Sequence, residues 1–181
     1  MKIKKLPIVG CYEIILNPIK DNRGNFTRVY DEKILKKIFK RKWVQHNESL
    51  NIKNKTFRGF HAQKKPFAES KLVRAIHGEA MDMILDIRKN SKTFKKLIKI
   101  KLLADNNMIF IPRGCAHGYL TLKKNTRLSY LHDNFYSKKH EINISYKDPI
   151  ITNKIKIRSK DISKKDLAAL NISELKHKFV F

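Results

Sequence analysis

The chain has 181 residues, 41% of them hydrophobic, which suits one globular domain with a sizeable core and is too apolar for a disordered basic tail. It carries 41 Lys and Arg against 16 Asp and Glu, a formal net charge of +25, and only two cysteines, Cys11 and Cys115. Without a run of about 18 apolar residues, a secretory-signal core in Met1–Pro7 or metal-type cysteine spacing, the sequence predicts no membrane partner, reduced thiols and a cytoplasmic location.

In chain order, the first predicted element is a helix over Asp31–Arg41: Asp31 suits the N-cap, and Ile34, Leu35, Ile38 and Phe39 share a face. Short β-like runs follow at Met81–Ile87, Leu97–Leu103, Met108–Ile111, Gly118–Leu122 and Arg127–His132. Asp105-Asn106-Asn107 and Lys123-Lys124-Asn125 read as tight turns between them. A second helix is predicted over Lys164–Lys176, where Ser163 and Asp166 form an S-x-x-D start signal. Repeats, low-complexity tracts and Gly/Ser-rich linkers are absent, so residues 1–181 read as a single domain. Many strands and few helices make it a mainly β sandwich or barrel, in which a site draws side chains from several strands.

The positive charge alone suits nucleic acid. The lysines, however, spread along the whole chain instead of gathering in a tail or stripe. An anionic small substrate is the better reading, with no nucleic-acid partner. Arg58-Gly59-Phe60-His61-Ala62-Gln63 and Lys71-Leu72-Val73-Arg74 place a histidine, a lysine and two arginines close together among apolar residues. Histidine as a residue type can take a proton from carbon near neutral pH, and a lysine can stabilise the oxyanion left behind. Arginine forks suit phosphates. Each residue also has a plainer reading: His61 as a satisfied core histidine, Lys71 as a surface lysine, Tyr130 as core packing in an alternating strand, Asp166 as a helix cap.

Six segments in order resemble the dTDP-4-dehydrorhamnose 3,5-epimerase family of cupin-fold nucleotide-sugar epimerases. Asp21-Asn22-Arg23-Gly24-Asn25-Phe26 is similar to D-x-R-G-x-F, and Gln45-His46-Asn47-Glu48-Ser49 to Q-x-N-x-S. Arg58–Gln63 resembles R-G-x-H-x-Q, and Lys71–Arg74 resembles K-L-V-R. Asp86–Phe94 is similar to D-x-R-x-x-S-x-T-F, and Ile111–Tyr119 to I-P-x-G-x-A-H-G-F. The resemblance spans about Tyr12 to Leu170 and implies a jelly-roll β-sandwich or barrel of cupin type with a few short peripheral helices.

It also implies a function: inversion of C3, C5 or both in a nucleotide-diphosphate 4-keto sugar, in surface-polysaccharide sugar synthesis. Protons on carbons flanking a ketone are weakly acidic; removal gives an enolate, and reprotonation from the opposite face inverts the carbon. By resemblance, His61 is the base, Asp166 its acidic partner, Lys71 the enolate stabiliser and Tyr130 the opposed acid. His117, Arg23, Phe26, Arg28, Arg58, Gln45, Asn47, Gln63, Glu141 and Lys165 are implied substrate contacts. No cofactor is implied. A homodimer is, in which Arg23 can reach the partner's site.

Metal binding, common among cupins, is the natural rival. Here His61-Ala62-Gln63 lacks the second imidazole of an H-x-H pair, and Lys71 beside a His61, Glu69 and His117 set would repel a cation, so no metal is expected. Three positions depart from the family pattern: Ala62 replaces an aromatic, Arg28 an acidic residue, and Phe135 stands where a tyrosine often lies beside the nucleotide. These changes leave the nucleotide open among dTDP, GDP and CDP, and the sugar open to larger ones such as a heptose. A nucleotide-sugar 3,4-ketoisomerase and a non-catalytic sugar-nucleotide-binding cupin are the alternatives. His46, His77, His132, His140 and His177 match no role and read as structural or exposed.

Overall fold

Strands with one face toward the core need apolar residues at every second position, and the chain supplies them in two sheets. The computed structural model describes residues 1–175 and 181. One sheet orders β1 (Lys2–Lys5), β2 (Tyr12–Ile15), β10 (Asn107–Ile111), β7 (Lys71–His77), β12 (Thr126–His132) and β5 (Gln45–Asn51). The other orders β13 (Glu141–Asn143), β6 (Thr56–Gln63), β11 (Cys115–Thr121), β8 (Glu79–Asp86) and β9 (Leu97–Leu103). Beside β6, β14 (Asp161–Ile162) adds a short parallel pairing. A hairpin of β3 (Ile19–Asp21) and β4 (Gly24–Phe26) stands off both sheets.

The sheets face each other across a core. Val73, Ala75, Ile109 and Leu128 from one meet Ala80, Ile84, Leu102 and Tyr119 from the other. The outer face of the second sheet, with Phe57, Phe60, Met83 and Leu85, is covered by late-chain residues that include Ile144, Ile151 and Ile172. The outer face of the first, with Leu72, Met108 and Phe110, packs against Leu35, Phe39 and Trp43. This is the jelly-roll sandwich the sequence implied, and the five β-runs read from the sequence fall on β8 to β12. Asp105 and Asn125, in the two expected turns, adopt positive φ of 60° and 54°.

The helices are shorter than expected. Asp31 does cap α1, its Oδ1 accepting from the Ile34 N–H at 3.1 Å, but α1 is only Glu32–Leu35. Beyond it Phe39 stacks on Trp43 at 4.3 Å and leans on Phe110, so aromatic packing against the sheet overrides helical continuation. After α2 (Pro149–Thr152) comes α3, Lys164–Leu167, capped as predicted by Ser163 Oγ accepting from the Asp166 N–H at 3.1 Å. It stops because Leu170 bridges Ile144, and a 3-10 turn at Ile172–Glu174 follows. Lys176 and His177 lie outside the described residues.

Candidate active site

Within the sandwich the inward positions change character from apolar to polar along each strand. On β7 the inward series runs Ala75, Val73, Lys71; on β12 it runs Leu128, Tyr130, His132. Register sets Lys71 opposite His132, Tyr130 opposite Asn47, and, on the facing sheet, His61 opposite His117. The result is a polar cavity in two adjoining halves. One, about 270 Å³, is walled by Ser49, Arg58, His117, Tyr119 and Tyr130; the other, about 380 Å³, by Gln45, Ala62, Gln63, Glu69, Tyr136 and Glu141. Asn47, His61, Lys71 and His132 border both.

Gly59 makes room for this arrangement. Its φ is +138°, and a Cβ there would lie 2.4 Å from Gly118 Cα, so only glycine lets β6 and β11 approach so closely beside His61. His61 Nε2 sits 2.7 Å from Asp166 Oδ1. Asp166, 2% exposed, also accepts from the Gly59 N–H at 3.4 Å. Burial pushes the Asp166 carboxyl up, but the bonds from His61, Gly59 and Ser163 outweigh it and hold it below the usual carboxylate range. The ionised carboxylate can only accept, so Nε2 carries the hydrogen and Nδ1 is left to take a proton.

Tyr130 faces the same cavity from the other sheet. Its hydroxyl lies 2.9 Å from Ser49 Oγ, which lies 2.9 Å from the Tyr119 hydroxyl. Tyr119 donates to Asn51 Oδ1 at 3.2 Å, and Arg58 Nε donates to the same oxygen at 2.9 Å. With Tyr119 donating, the chain runs one way, from Tyr130 through Ser49 to Asn51. Burial, and next the Tyr119 hydroxyl, push the Tyr130 phenol well above its usual range, so it stays a proton donor. Lys71 is 7% exposed with Nζ 3.2 Å from Glu69 Oε1. His117 Nε2 is held 2.8 and 3.0 Å from the two oxygens of fully buried Asp82.

Thus His61, Asp166, Lys71, Tyr130, His117, Asn47, Gln45, Arg58 and Gln63 come together. Glu141 joins them through the 380 Å³ half, with the Lys165 ammonium paired to its carboxylate. Arg23, Phe26 and Arg28 do not. Arg23 is clamped to Asp21 at 2.6 Å on the exposed hairpin, Phe26 is 67% exposed, and Arg28 pairs with Asp31 at 3.4 Å. In the 380 Å³ half the aromatic is Tyr136, one residue beyond Phe135, which is 59% exposed and lines neither half.

Sequence reasoning also passed over Asp82 and His132. A charged residue inside the apolar run Met81-Asp82-Met83-Ile84-Leu85 signals a buried partner, and His132 shares the alternating face of Tyr130. Among the described residues no three His, Cys, Asp or Glu side chains gather where they could hold a metal ion, and His61, Glu69 and His117 are bonded to three different partners, Asp166, His132 and Asp82.

A two-sheet jelly roll enclosing a polar cavity, with a histidine–aspartate pair on one sheet and a protonated tyrosine facing it from the other, is the architecture of a cupin-type enzyme. The sequence profile described as dTDP-4-dehydrorhamnose 3,5-epimerase matches residues 5–174. A dTDP-4-dehydrorhamnose 3,5-epimerase of Shigella flexneri is 37% identical over 150 residues, 81% of this chain and 82% of that one. The crystal structure of the Elizabethkingia anophelis NUHP1 enzyme of that name superposes with a TM-score of 0.87 at 33% identity, covering 96% of this chain and 97% of that one. The Bacillus anthracis structure, with TDP and PPi bound, gives 0.89 at 31%, covering 94% and 99%. The chain belongs to the dTDP-4-dehydrorhamnose 3,5-epimerase family and is a nucleotide-sugar epimerase, an isomerase.

Proposed function

We propose that this protein inverts C3, C5 or both in a nucleotide-diphosphate 4-keto sugar. The observation that carries the reading is the opposition of His61 and Tyr130, which approach one cavity from facing sheets. Inversion needs a proton taken on one face and returned on the other; simple binding needs neither. His61 Nδ1 takes the proton beside the ketone, and Asp166 stabilises the imidazolium that forms. The Lys71 ammonium donates to the enolate oxygen, with His117 close by. Tyr130 then turns its hydrogen from Ser49 to the opposite face of the enolate, and the cycle closes when the phenolate regains a proton from solvent and the His61 imidazolium gives one up. In this reading Arg58 pairs with phosphate, and Gln45, Asn47, Gln63, Tyr136, Glu141 and Lys165 contact the nucleotide side of the substrate.

The test is to incubate dTDP-, GDP- and CDP-linked 4-keto sugars with the enzyme in deuterium oxide and follow C3 and C5 by NMR. Deuterium at both carbons identifies a double epimerase, and at one carbon a single-site enzyme. Absence of exchange with every nucleotide sugar sinks the reading. His61→Asn is expected to lower exchange by about 10²–10⁴ with nucleotide affinity nearly unchanged; wild-type exchange in that variant removes His61 as base.

The protein works in this reading as a cytoplasmic homodimer. The exposed hairpin supports it, since Arg23 and Phe26 stand away from their own chain's cavity. Sedimentation as a monomer at micromolar concentration counts against the dimer.

A further inference from the structure

Two buried side chains in the cavity wall, Glu69 and His132, have no part in the chemistry above. Glu69, His132 and Gln63 are 8, 7 and 3% exposed. Glu69 Oε2 lies 2.9 Å from His132 Nδ1 and accepts from Gln63 Nε2 at 3.1 Å, while Oε1 faces Lys71 Nζ at 3.2 Å. Gln63 is itself fixed: its two Nε2 hydrogens are shared between Glu69 Oε2 and the carbonyls of Phe67 and Phe135, each 3.0 Å away, and its Oε1 accepts from the Ser137 N–H. Burial pushes the Glu69 carboxyl up, but Lys71 and then His132 outweigh it and hold it below the usual range.

An ionised Glu69 has no hydrogen to give, so the hydrogen in its bond with His132 sits on Nδ1. That selects one tautomer, leaving Nε2 bare when the ring is neutral, with Asn47 Nδ2 3.5 Å away. The consequence reaches Lys71. An ammonium on a four-carbon stem is a mobile point charge, yet a donor to an enolate is effective only if already aimed before charge develops. Glu69 takes one N–H direction of Lys71, and Glu69 in turn is held by two donors on its other oxygen.

We propose that Glu69 and His132 are a positioning pair for Lys71: the His132 Nδ1–H turns the Glu69 carboxylate, and the carboxylate aims the ammonium into the cavity. This rests on Lys71 as the enolate stabiliser. Neither residue exchanges a proton with the substrate.

Two measurements test it in the full-length protein. Nitrogen-15 NMR of labelled histidine is expected to find His132 as the Nδ1–H tautomer, and Glu69→Gln to relax it toward a mixture. In turnover, His132→Leu is expected to lower kcat about tenfold or more with KM changed less than about threefold, the mark of an interaction made in the transition state. His132→Asn, whose amide can place an N–H near the position of Nδ1, is expected to return to within about threefold of the parent. An Nε2–H tautomer, full kcat in a folded His132→Leu enzyme, or a His132→Asn enzyme as slow as His132→Leu overturns the proposal. If His132→Leu does not fold, the tautomer and His132→Asn decide. Lys71→Ala with undiminished kcat overturns the role of Lys71 itself, and the tautomer then decides the Glu69–His132 contact alone.

Discussion

Burial can choose the chemical role of a side chain, and Tyr130 is the case here. A phenol pushed well above its usual range stays protonated at neutral pH, which in the proposed mechanism leaves Tyr130 to give a proton and not to take one. Removing the hydroxyl therefore separates the two halves of the reaction. In the proposed mechanism, His61 of a Tyr130→Phe enzyme still abstracts a proton, exchanges it with solvent and returns a deuteron to the same face, so deuterium is expected to enter with retention while inversion falls by about 10²–10⁴. Stereochemical analysis of the product beside NMR exchange checks it; inversion at the wild-type rate removes Tyr130 as the acid. Since its pKa is raised, no loss of acid function is expected as pH climbs toward about 10.

At the scale of elements, motifs that look alike in sequence prove to do different work. The Asp86–Phe94 segment resembles a signature as strongly as the His61 segment does, yet it lines neither half of the cavity. Instead Asp86, fully buried at the end of β8, accepts from Arg88 Nε and NH2 at 2.8 Å, Ser91 Oγ at 2.6 Å and Thr93 Oγ1 at 2.6 Å. Burial pushes its carboxyl up, and the Arg88, Ser91 and Thr93 bonds more than reverse that, leaving it below the usual range. A carboxyl whose folded pKa is depressed stabilises the fold above its unfolded value, about 4, and gives that stability up as pH falls through the depressed value. Asp86→Asn is therefore expected to destabilise by about 3 kcal/mol at pH 7, to differ less from the parent at low pH, and to keep its kcat. Denaturant titrations at the two pH values read the first two, and a slowed kcat would place Asp86 in the chemistry after all.

The same scale explains what could be read in advance. Strands β8 to β12 were legible because alternation and turn residues such as Asp105 and Asn125 state them locally. The helices were overextended because Phe39 and Trp43 obey the sheet beneath them, which no local pattern records. His61, Lys71, Tyr130 and Asp166 could be named by resemblance. The pairing of Glu69 with His132 could not: its two partners lie 63 residues apart and meet only through the register of β7 with β12.

For the whole molecule, the hairpin of β3 and β4 carries Arg23 and Phe26, two implied substrate contacts that stand away from their own chain's cavity. If Arg23 serves the partner's cavity, a variant at Arg23 and a variant at His61 are defective in different sites of a mixed dimer. One site of such a dimer then holds an intact His61 and an intact Arg23. Unfolding and refolding Arg23→Ala with His61→Asn together, each nearly inactive alone, is expected to restore about a quarter of wild-type activity, since about half the dimers are mixed and each has one complete site. No recovery on mixing returns Arg23 to its own chain.

The proposed base is completed by a part of the chain that arrives late. Asp166 lies 105 residues after His61, and it reaches β6 only through the β14 pairing of Asp161 with Thr56 and the short α3 capped by Ser163. Closing the two sheets and arming the histidine are thus separable events. A chain clipped in the largely exposed stretch between α2 and β14 would keep both facing sheets and most of the cavity wall. In the proposed mechanism such a chain is expected to lose proton abstraction, so exchange of substrate protons doubles as a report that the final segment has docked.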